Sequence, residues 1–353
     1  MLDLSALFFD CGFYFLAFFS AFVVVVVSVP IVRSLAIRCG HVDVPSDRKV
    51  HQTPMVRLGG VSIFLGTLVA ALCLWRLDGF SHLLPIDQRE ILIILLGGSG
   101  YFLLGFLDDL QELSPRFRLV CQLAIAALVW QNGVRIDALN VPGLGLVHLG
   151  LLSLPITLLW IAGLVNAINW IDGLDGLASG VSAISTLITA GICLFIGEPS
   201  VALLALCLVG SLCGFLLYNF NPACIFMGDG GSYFIGFMLA AISIVGLVKG
   251  ATVVTTPFIV LAVPIFDMTL VIVSRLLRRQ SPFVADKSHL HHRLLKVGFS
   301  HRDTVLFIYA LSLWIGSWAF TLAPIPNGLL ALVIATPIFC VTTWRVWRFA
   351  QLS

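Results

Sequence analysis

Long apolar runs recur along the whole chain of 353 residues, and polar residues are confined to the short stretches between them. An apolar run of roughly 20 residues crosses the hydrocarbon core of a bilayer as a helix. Only helices and closed barrels satisfy their backbone groups in lipid, so the pattern predicts an all-α fold, a polytopic membrane helical bundle. The eleven predicted spans are 12–33, 59–76, 90–107, 117–133, 149–166, 177–196, 201–218, 232–248, 252–275, 304–322 and 328–345.

The first apolar run is interpreted as a retained transmembrane helix and not as a signal peptide. Asp3 and Asp10 lie at its start, where a signal peptide carries Lys or Arg, and ten further spans follow it. The chain 1–353 is then a single integral-membrane domain. The stretch 135–149 alternates loosely around Pro142-Gly143 and predicts a small hairpin outside the membrane.

Positive charge predicts the orientation, because cytoplasmic loops carry an excess of Lys and Arg. With the N-terminus outside and the C-terminus in the cytoplasm, only Arg76, Arg89, Arg135 and Lys249 of the 20 Lys and Arg lie outside. Every acidic cluster then lies on the cytoplasmic side, beside the basic loops. The predicted cytoplasmic loops are about 34–58, 108–116, 167–176, 219–231 and 276–303.

Composition agrees with a membrane protein and narrows its partners. Charged residues make up 11% of the chain, against about a quarter in average proteins, which excludes a soluble globular protein. The nine Cys show no CxxC spacing and are read as small buried hydrophobes. We expect the lipid bilayer, and no nucleic acid, as a partner of this chain.

Five Asp residues lie at the ends of predicted spans, although charge is costly in a membrane protein. Asp108 and Asp109 end the third span, where the helix dipole disfavours negative charge. The pair is interpreted as carboxylates that handle a cation or a proton, with a solvated helix end as the alternative. Asp229 lies among glycines just before a helix and is a candidate metal ligand, close to backbone N–H groups that suit phosphate.

The segment 164–178 (LVNAINWIDGLDGLA) carries Asn166, Asn169, Asp172 and Asp175 at intervals of three residues. In a helix these side chains would lie on adjoining rows of one face. A polar seam between helices is the alternative. Oxygen ligands without a Cys/His set favour Mg²⁺ or Mn²⁺ over zinc, and Mg²⁺ takes only one or two protein carboxylates. Some of the Asp residues therefore orient substrate or handle protons.

The loop 286–295 (DKSHLHHRLL) joins three His to Lys and Arg. Such a set suits an anionic diphosphate better than zinc, although a zinc site is the alternative. The first inside loop adds Arg48, Lys49, His51 and the pair Gly59-Gly60, a second basic surface. Asp267, within the ninth span, either lines a polar groove or forms hydrogen bonds to neighbouring helices.

Taken together and in chain order, these motifs resemble the polyprenyl-phosphate N-acetylhexosamine-1-phosphate transferases. The shared motifs are the basic loop with Gly59-Gly60, the acidic pair, NAINWIDGLDGL, FMGDGGS and HLHHRLL, which together cover nearly the whole chain. The resemblance implies transfer of a sugar 1-phosphate from a UDP-sugar to undecaprenyl phosphate, with release of UMP. It also implies a Mg²⁺ cofactor, with Mn²⁺ as an alternative, and a site on the cytoplasmic face of the bacterial inner membrane.

The resemblance implies a role for each site residue. Asp229 matches the Mg²⁺ ligand, with Asn169 assisting, and Asp108 and Asp109 match the catalytic acidic pair. On the nucleotide side the matching residues are Asp172, Asp175 and Phe226, the last at the position of an aromatic ring that stacks on uracil. The expected phosphate and sugar contacts are Lys49, His51, Arg118, His289, His291, His292 and Arg293. Val56 departs from the family pattern, which commonly has proline there.

Within the family, HLHHRLL after Ser281-Pro282-Phe283 resembles the UDP-GlcNAc branch. The product would be the first lipid-linked intermediate of a cell-surface polysaccharide such as O-antigen. The alternative branch uses UDP-MurNAc-pentapeptide in peptidoglycan synthesis and carries three consecutive His, which Leu290 interrupts here. A lipid-phosphate transporter would instead predict charges at the midplane and an inverted repeat. A homodimer is compatible with these features.

Overall fold

Helix occupies the predicted spans in the computed structural model, which describes residues 4–41, 55–82, 88–249, 254–279, 289–323, 325 and 327–352. The all-α prediction is thereby confirmed for these residues. The helices are α1 (Leu4–Arg38), α2 (Gly60–Arg76), α3 (Gly79–His82), α4 (Gln88–Gln111), α5 (Pro115–Gln131), α6 (Ser153–Ile171), α7 (Leu177–Ile196), α8 (Pro199–Asn219), α9 (Gly228–Ile242), α10 (Thr255–Val260), α11 (Ala262–Leu277), α12 (Leu290–Lys296), α13 (His301–Leu322) and α14 (Leu329–Leu352).

The chain is an integral membrane protein. Among the described residues, seven helices are long and apolar enough to cross a bilayer. Apolar side chains such as Phe15, Val27 and Leu159 remain exposed on their outer faces, as lipid contact requires. The count of eleven spans and the outside position of the N-terminus stay predictions.

The ninth predicted span differs from the expectation of one continuous helix over 252–275. Helix α10 ends at Val260 and α11 begins at Ala262, with Leu261 at φ −105° and ψ 19° between them. Pro264 has no N–H to donate to the carbonyl of Val260, so the helical hydrogen-bond ladder is interrupted there. The prediction of a single helix was wrong.

Several predicted loops are partly helical. Helix α4 continues to Gln111 and α6 continues to Ile171, so Asp108, Asp109 and Asn169 lie in last helical turns and not in loops. Likewise α9 begins within the predicted loop 219–231, and α12 lies within the predicted loop 276–303. Sequence periodicity ended α4 and α6 a few residues too early and began α9 a few residues too late, because polar residues in a terminal helical turn resemble loop residues.

Helix α9 lies at the centre of the bundle. All of its residues from 230 to 242 are buried, and it packs against α4, α6 and α2. Its continuation over Ser243–Val248 is π-helical. Helix α1 packs against α8 and α2, while α13 packs against α14 and α7. The first turn of α9, which carries Asp229, is therefore held by three neighbouring helices.

The predicted hairpin is confirmed. Strands β1 (Ala138–Val141) and β2 (Gly145–His148) pair antiparallel, with Val141 opposite Gly145. Gly143 takes the turn at φ +81°, a conformation that glycine adopts without strain.

Candidate active site

Backbone hydrogen bonds from Gly59 and Gly60 fix the turn before Asp229. The N–H of Gly59 donates to the carbonyl of Phe226 at 2.9 Å, and the N–H of Gly60 donates to that of Met227 at 2.7 Å. A Cβ on Gly60 would lie 2.2 Å from the backbone nitrogen of Gly231, so no side chain fits there. This close approach explains the paired glycines of the first inside loop, which charge alone does not explain.

The acidic end of α4 meets the same turn through another glycine. A Cβ on Gly105 would lie 2.3 Å from the carbonyl oxygen of Asp229, so α4 and α9 touch backbone to backbone. Gly228 adopts φ +74°, and a Cβ on it would collide with the carbonyl of Arg57. The start of α9 is therefore packed so closely between α2 and α4 that these positions leave no room for a side chain.

Asp109 holds the start of α9. Its Oδ1 accepts a hydrogen bond of 2.8 Å from the backbone N–H of Asp229, and its Oδ2 accepts one of 2.9 Å from that of Gly230. The first N–H groups of a helix have no partner within the helix, and a negative charge there is favoured by the dipole. Asp109 supplies both effects from a different helix.

Asp108 is buried and holds the guanidinium of Arg118 beside Asp229. Its Oδ2 accepts hydrogen bonds from Arg118 Nη1 at 2.6 Å and from the hydroxyl of Tyr233 at 3.1 Å. Its Oδ1 accepts the backbone N–H of Leu113 at 2.8 Å. The same Arg118 nitrogen lies 3.9 Å from Asp229 Oδ2. The guanidinium is thus fixed between two carboxylates and remains partly exposed.

Asp229 is the carboxylate of this group that is open to a ligand. Its side chain is 33% exposed, whereas that of Asp108 is 3% exposed. The Nδ2 of Asn169 donates to Asp229 Oδ1 at 2.6 Å and to the hydroxyl of Ser232 at 3.0 Å. Asn169 therefore orients the Asp229 carboxylate, and its expected part in holding a metal stays a prediction.

The donor set around Asp229 fits a hard divalent cation with few protein ligands. Within the described residues, no group of three or more His, Cys, Asp or Glu side chains is arranged to hold a metal. Mg²⁺ commonly takes one or two carboxylates and completes its shell with water and substrate phosphates. A single exposed Asp229 carboxylate, with Asn169 behind it, matches that pattern better than a zinc site, which needs three or four side chains.

Asp172 and Asp175 lie beyond α6, so the four oxygens at intervals of three do not share one helix face. Asp172 is half-buried, and burial raises its pKa to about 7, with the negative charge of Asp229 adding to the effect and the positive charge of Arg57 opposing it. Asp175 Oδ2 accepts hydrogen bonds of 3.0 Å from Asn221 Nδ2 and from the N–H of Ala223. Asp175 thereby ties its loop to the segment before α9.

Asn166 belongs to a seam between helices. Its Nδ2 donates to Gln122 Oε1 at 2.8 Å and to the carbonyl of Ala162 at 2.7 Å, which links α6 to α5. The alternative of a polar seam between helices therefore holds for Asn166, whereas Asn169 donates a hydrogen bond to Asp229. Phe226 is half-buried between Val56 and Gly59, to whose backbone it is hydrogen-bonded. Its role as a uracil contact stays a prediction.

Asp267 is bound to the histidine segment. Its Oδ2 lies 2.8 Å from His289 Nδ1, and its Oδ1 accepts the backbone N–H of Leu290 at 2.7 Å. His291 is 1% exposed, and neither of its ring nitrogens has a hydrogen-bond partner within the described part of the chain. Burial lowers the pKa of His291 to about 4, with the charge of His292 contributing to this shift, so this ring is neutral near pH 7.

The structure brings most of the predicted site together. His292 is half-buried and Arg293 is exposed, while Lys49 and His51 lie outside the described residues. Sequence reasoning missed Tyr233, Ser232 and Arg57 as parts of the site. The first two directly follow GDGG in the sequence, and a hydroxyl so close to a candidate ligand was the available signal.

Comparisons with known proteins identify the family of this chain. The sequence profile of "Glycosyl transferase family 4" matches residues 91–247. A Bacillus subtilis protein named "Probable undecaprenyl-phosphate N-acetylglucosaminyl 1-phosphate transferase" is 41% identical over 298 residues, which are 84% of this chain and 81% of that protein.

More distant relatives carry related names. "Decaprenyl-phosphate N-acetylglucosaminephosphotransferase" of Mycobacterium tuberculosis is 35% identical over 82% of this chain and 76% of its own length. "Undecaprenyl-phosphate alpha-N-acetylglucosaminyl 1-phosphate transferase" of Salmonella typhi is 27% identical over 94% of this chain and 92% of its own length. The profile match spans the third to the eighth predicted spans, with all five Asp residues of the site. The chain therefore belongs to glycosyl transferase family 4, the polyprenyl-phosphate N-acetylhexosamine-1-phosphate transferases.

Proposed function

We propose that this protein transfers N-acetylglucosamine 1-phosphate from UDP-GlcNAc to undecaprenyl phosphate and releases UMP. The observation that carries this proposal is the partly exposed carboxylate of Asp229 on α9. Asn169 from α6 donates a hydrogen bond to it, and the Arg118 guanidinium from α5 lies 3.9 Å from it. The relatives named above are N-acetylglucosamine phosphate transferases that act on polyprenyl phosphates. Their names favour UDP-GlcNAc over UDP-MurNAc-pentapeptide as the donor.

The reaction is a displacement at phosphorus. An oxygen of the lipid phosphate forms a bond to the β-phosphorus of UDP-GlcNAc, and the bond from that phosphorus to the bridging oxygen breaks, so UMP leaves. Both reactants are anions, so the protein must hold them in line and neutralise charge. Since the second pKa of a phosphomonoester is about 6, the acceptor needs no strong base near pH 7.

The acidic pair is assigned a positioning role in this proposal. Both oxygens of Asp109 accept hydrogen bonds from the start of α9, and Asp108 is engaged by Arg118 and Tyr233. Asp109 thus fixes the first turn of α9, which carries Asp229, and Asp108 holds the Arg118 guanidinium toward the charge of the reacting phosphates. The guanidinium stabilises the extra negative charge that develops during transfer.

Asp229 and Asn169 are proposed to hold the cofactor Mg²⁺, for which Mn²⁺ is a substitute. When bound, the cation supplies charge neutralisation at the diphosphate and steadies the departing UMP. On the other side, Asp172 and Phe226 are proposed to face the uridine, and His292 and Arg293 to bind the diphosphate and sugar. Lys49 and His51 are proposed for the same anionic groups.

We also place the site on the cytoplasmic face of a bacterial inner membrane. The support is the excess of Lys and Arg in the loops on this side of the chain. Asp108 and Asp109 end α4, Asp172 follows α6 and Asp229 begins α9, so the acids lie at helix ends on one side. A transporter would instead need its charges near the midplane.

An assay of UMP release from the purified protein tests the proposal. The protein in detergent receives UDP-GlcNAc and undecaprenyl phosphate, with and without Mg²⁺, and the lipid product is identified by mass spectrometry. We expect UMP and the lipid-linked sugar diphosphate only when both substrates and a divalent cation are present. UDP-GalNAc and UDP-MurNAc-pentapeptide serve as matched donors, and faster turnover of either would overturn the choice of UDP-GlcNAc.

A further inference from the structure

A buried carboxylate on α11 ties a membrane helix to the histidine segment. Asp267 is 6% exposed and uses both oxygens, one toward His289 Nδ1 and one toward the N–H of Leu290. The groove beside it is lined mainly by apolar side chains, including Val263 and Ile315. In such surroundings, two hydrogen bonds to a carboxylate form a strong and geometrically fixed tie.

The tie fixes a row of three imidazole rings. The ring of His289 meets Trp170 edge-on at 6.0 Å between centroids and stacks on His291 at 5.7 Å with an interplanar angle of 12°. His291 in turn contacts His292 at 4.3 Å. A shift of His289 would therefore displace the rings behind it, including the half-buried His292.

The middle ring of the row, that of His291, rests on the loop that carries Asp172. A Cβ on Gly173 would lie 2.4 Å from His291 Nε2, so the ring lies directly against the backbone of this glycine. The row thus extends from α11 to the loop after α6. No other observation about the site explains why a membrane helix carries a buried Asp at this point.

We propose that Asp267 is a positioning residue for the transfer reaction, which presupposes the function proposed above. It holds His289 and the start of α12 so that the histidine row meets the Asp172 loop and presents His292 and Arg293 to the donor diphosphate. Asp267 acts through His289 and does not itself touch the substrate.

Steady-state kinetics of UMP release by the full-length protein separate this role from general stability. In Asp267→Ala the histidine row is no longer fixed, so we expect KM for UDP-GlcNAc to rise and kcat/KM to fall about 100-fold. KM for undecaprenyl phosphate should change much less. In Asp267→Asn the side chain still accepts from Leu290 and donates to the other tautomer of His289, so most of the lost kcat/KM should return.

The matched control is Thr269→Ala on the same helix. Thr269 is exposed, and its hydroxyl donates to the carbonyl of Ile265 within its own helix α11, at 2.7 Å. This variant should keep the wild-type kinetics. Asp267→Asn that is as impaired as Asp267→Ala would overturn the proposal, because the charge and not the position would then matter. Wild-type kinetics in Asp267→Ala would overturn it as well.

A labelling experiment measures the position of the rings without relying on turnover. Diethylpyrocarbonate modifies accessible imidazoles, and mass spectrometry reports His289 and His291 separately. Both are nearly buried in the folded protein, so labelling should be slow and should rise about tenfold in Asp267→Ala, as expected for local opening. Gly173→Ala places a Cβ against the His291 ring and should raise the labelling of His291 too. This variant takes the place of Asp267→Ala if the latter cannot be purified in folded form.

The two hypotheses fail in different ways. If the wild-type protein releases no UMP, the proposed function is contradicted. If labelling of His289 and His291 is still slow and rises in Asp267→Ala, the hydrogen bonds of Asp267 to His289 and Leu290 are nevertheless shown to hold the rings. UMP release with unchanged labelling in both Asp267→Ala and Gly173→Ala would keep the function and overturn the positioning role.

Discussion

Asp109 accepts a hydrogen bond of 2.8 Å from the backbone N–H of Asp229, so the peptide group of one acidic residue is held by the side chain of another. The two residues are 120 positions apart in the sequence. The contact places the negative charge of Asp109 at the N-terminus of α9, where the helix dipole favours it. The carboxylate of Asp229 is left to face outward.

Asp229→Ala should abolish UMP release while the protein stays folded. The exposed carboxylate is the proposed ligand of the divalent cation, and we expect a loss on the order of 100-fold or more in kcat. The assay is UMP release in detergent, with size-exclusion chromatography to check the fold. Asp137→Ala is the matched control, since Asp137 pairs with Arg135 beside the hairpin and far from α9 along the chain. Full activity in Asp229→Ala would remove Asp229 from the metal site.

Asp109→Asn should lower the melting temperature as well as the activity. An amide can accept only one of the two backbone N–H groups, so one would stay buried without a partner, at a cost of about 1–3 kcal/mol. Thermal unfolding in detergent measures the loss. Asp303→Asn is the control, because Asp303 also lies in a first helical turn but accepts from the hydroxyl of Ser300 near the surface. An unchanged melting temperature in Asp109→Asn would contradict the anchoring role.

Asp172 should make the stability of the protein depend on pH. Burial raises its pKa from 3.8 to about 7, so the folded state binds a proton that the unfolded state releases. This contribution to stability is complete below pH 3.8 and is lost as the pH rises through about 7. Asp172→Asn removes the dependence, so its melting temperature relative to wild type should rise between about pH 5 and about pH 8. A difference that is constant with pH would show that Asp172 is not held in this way.

Gly60→Ala should separate α2 from α9. The added Cβ would lie 2.2 Å from the backbone nitrogen of Gly231, and overpacking of this kind costs about 1–3 kcal/mol. Melting temperature and UMP release should both fall. Gly100→Ala on α4 is the control, since its Cβ would meet Ile125 at an ordinary 3.5 Å and alanine favours helix. Equal stability of the two variants would contradict the backbone contact.

The sequence was sufficient to locate the long apolar helices and to predict that the acidic residues lie together at one end of the bundle. Apolar runs located α6 to α9, and the acidic and basic motifs predicted that Asp108, Asn169 and Asp229 would gather at one side. These features are local, since each depends on a run of neighbouring residues and on the length of a membrane helix.

Pairings between distant residues could not be predicted in this way. The contact of Asp267 with His289 depends on how α11 lies against the segment before α12, and nothing in either motif encodes that geometry. The ends of α4 and α6 were also missed, because a polar side chain in a last turn is not distinguished by periodicity from one in a loop. The break at Leu261 did have a signal in Pro264, which the apolar run concealed.

The glycine contacts around Asp229 bear on how an inhibitor of this site would fare. Side chains at Gly60, Gly105 and Gly228 would meet backbone atoms at 2.0–2.3 Å, so no point substitution there can reshape the floor of the site without moving a helix. Gly60 and Gly105 are themselves buried between helices, so an inhibitor would meet the side chains that this packing holds, such as Asp229, and not these glycines. A substitution at any of the three glycines would disturb the helix packing along with the binding of an inhibitor, so these positions offer a poor route to resistance.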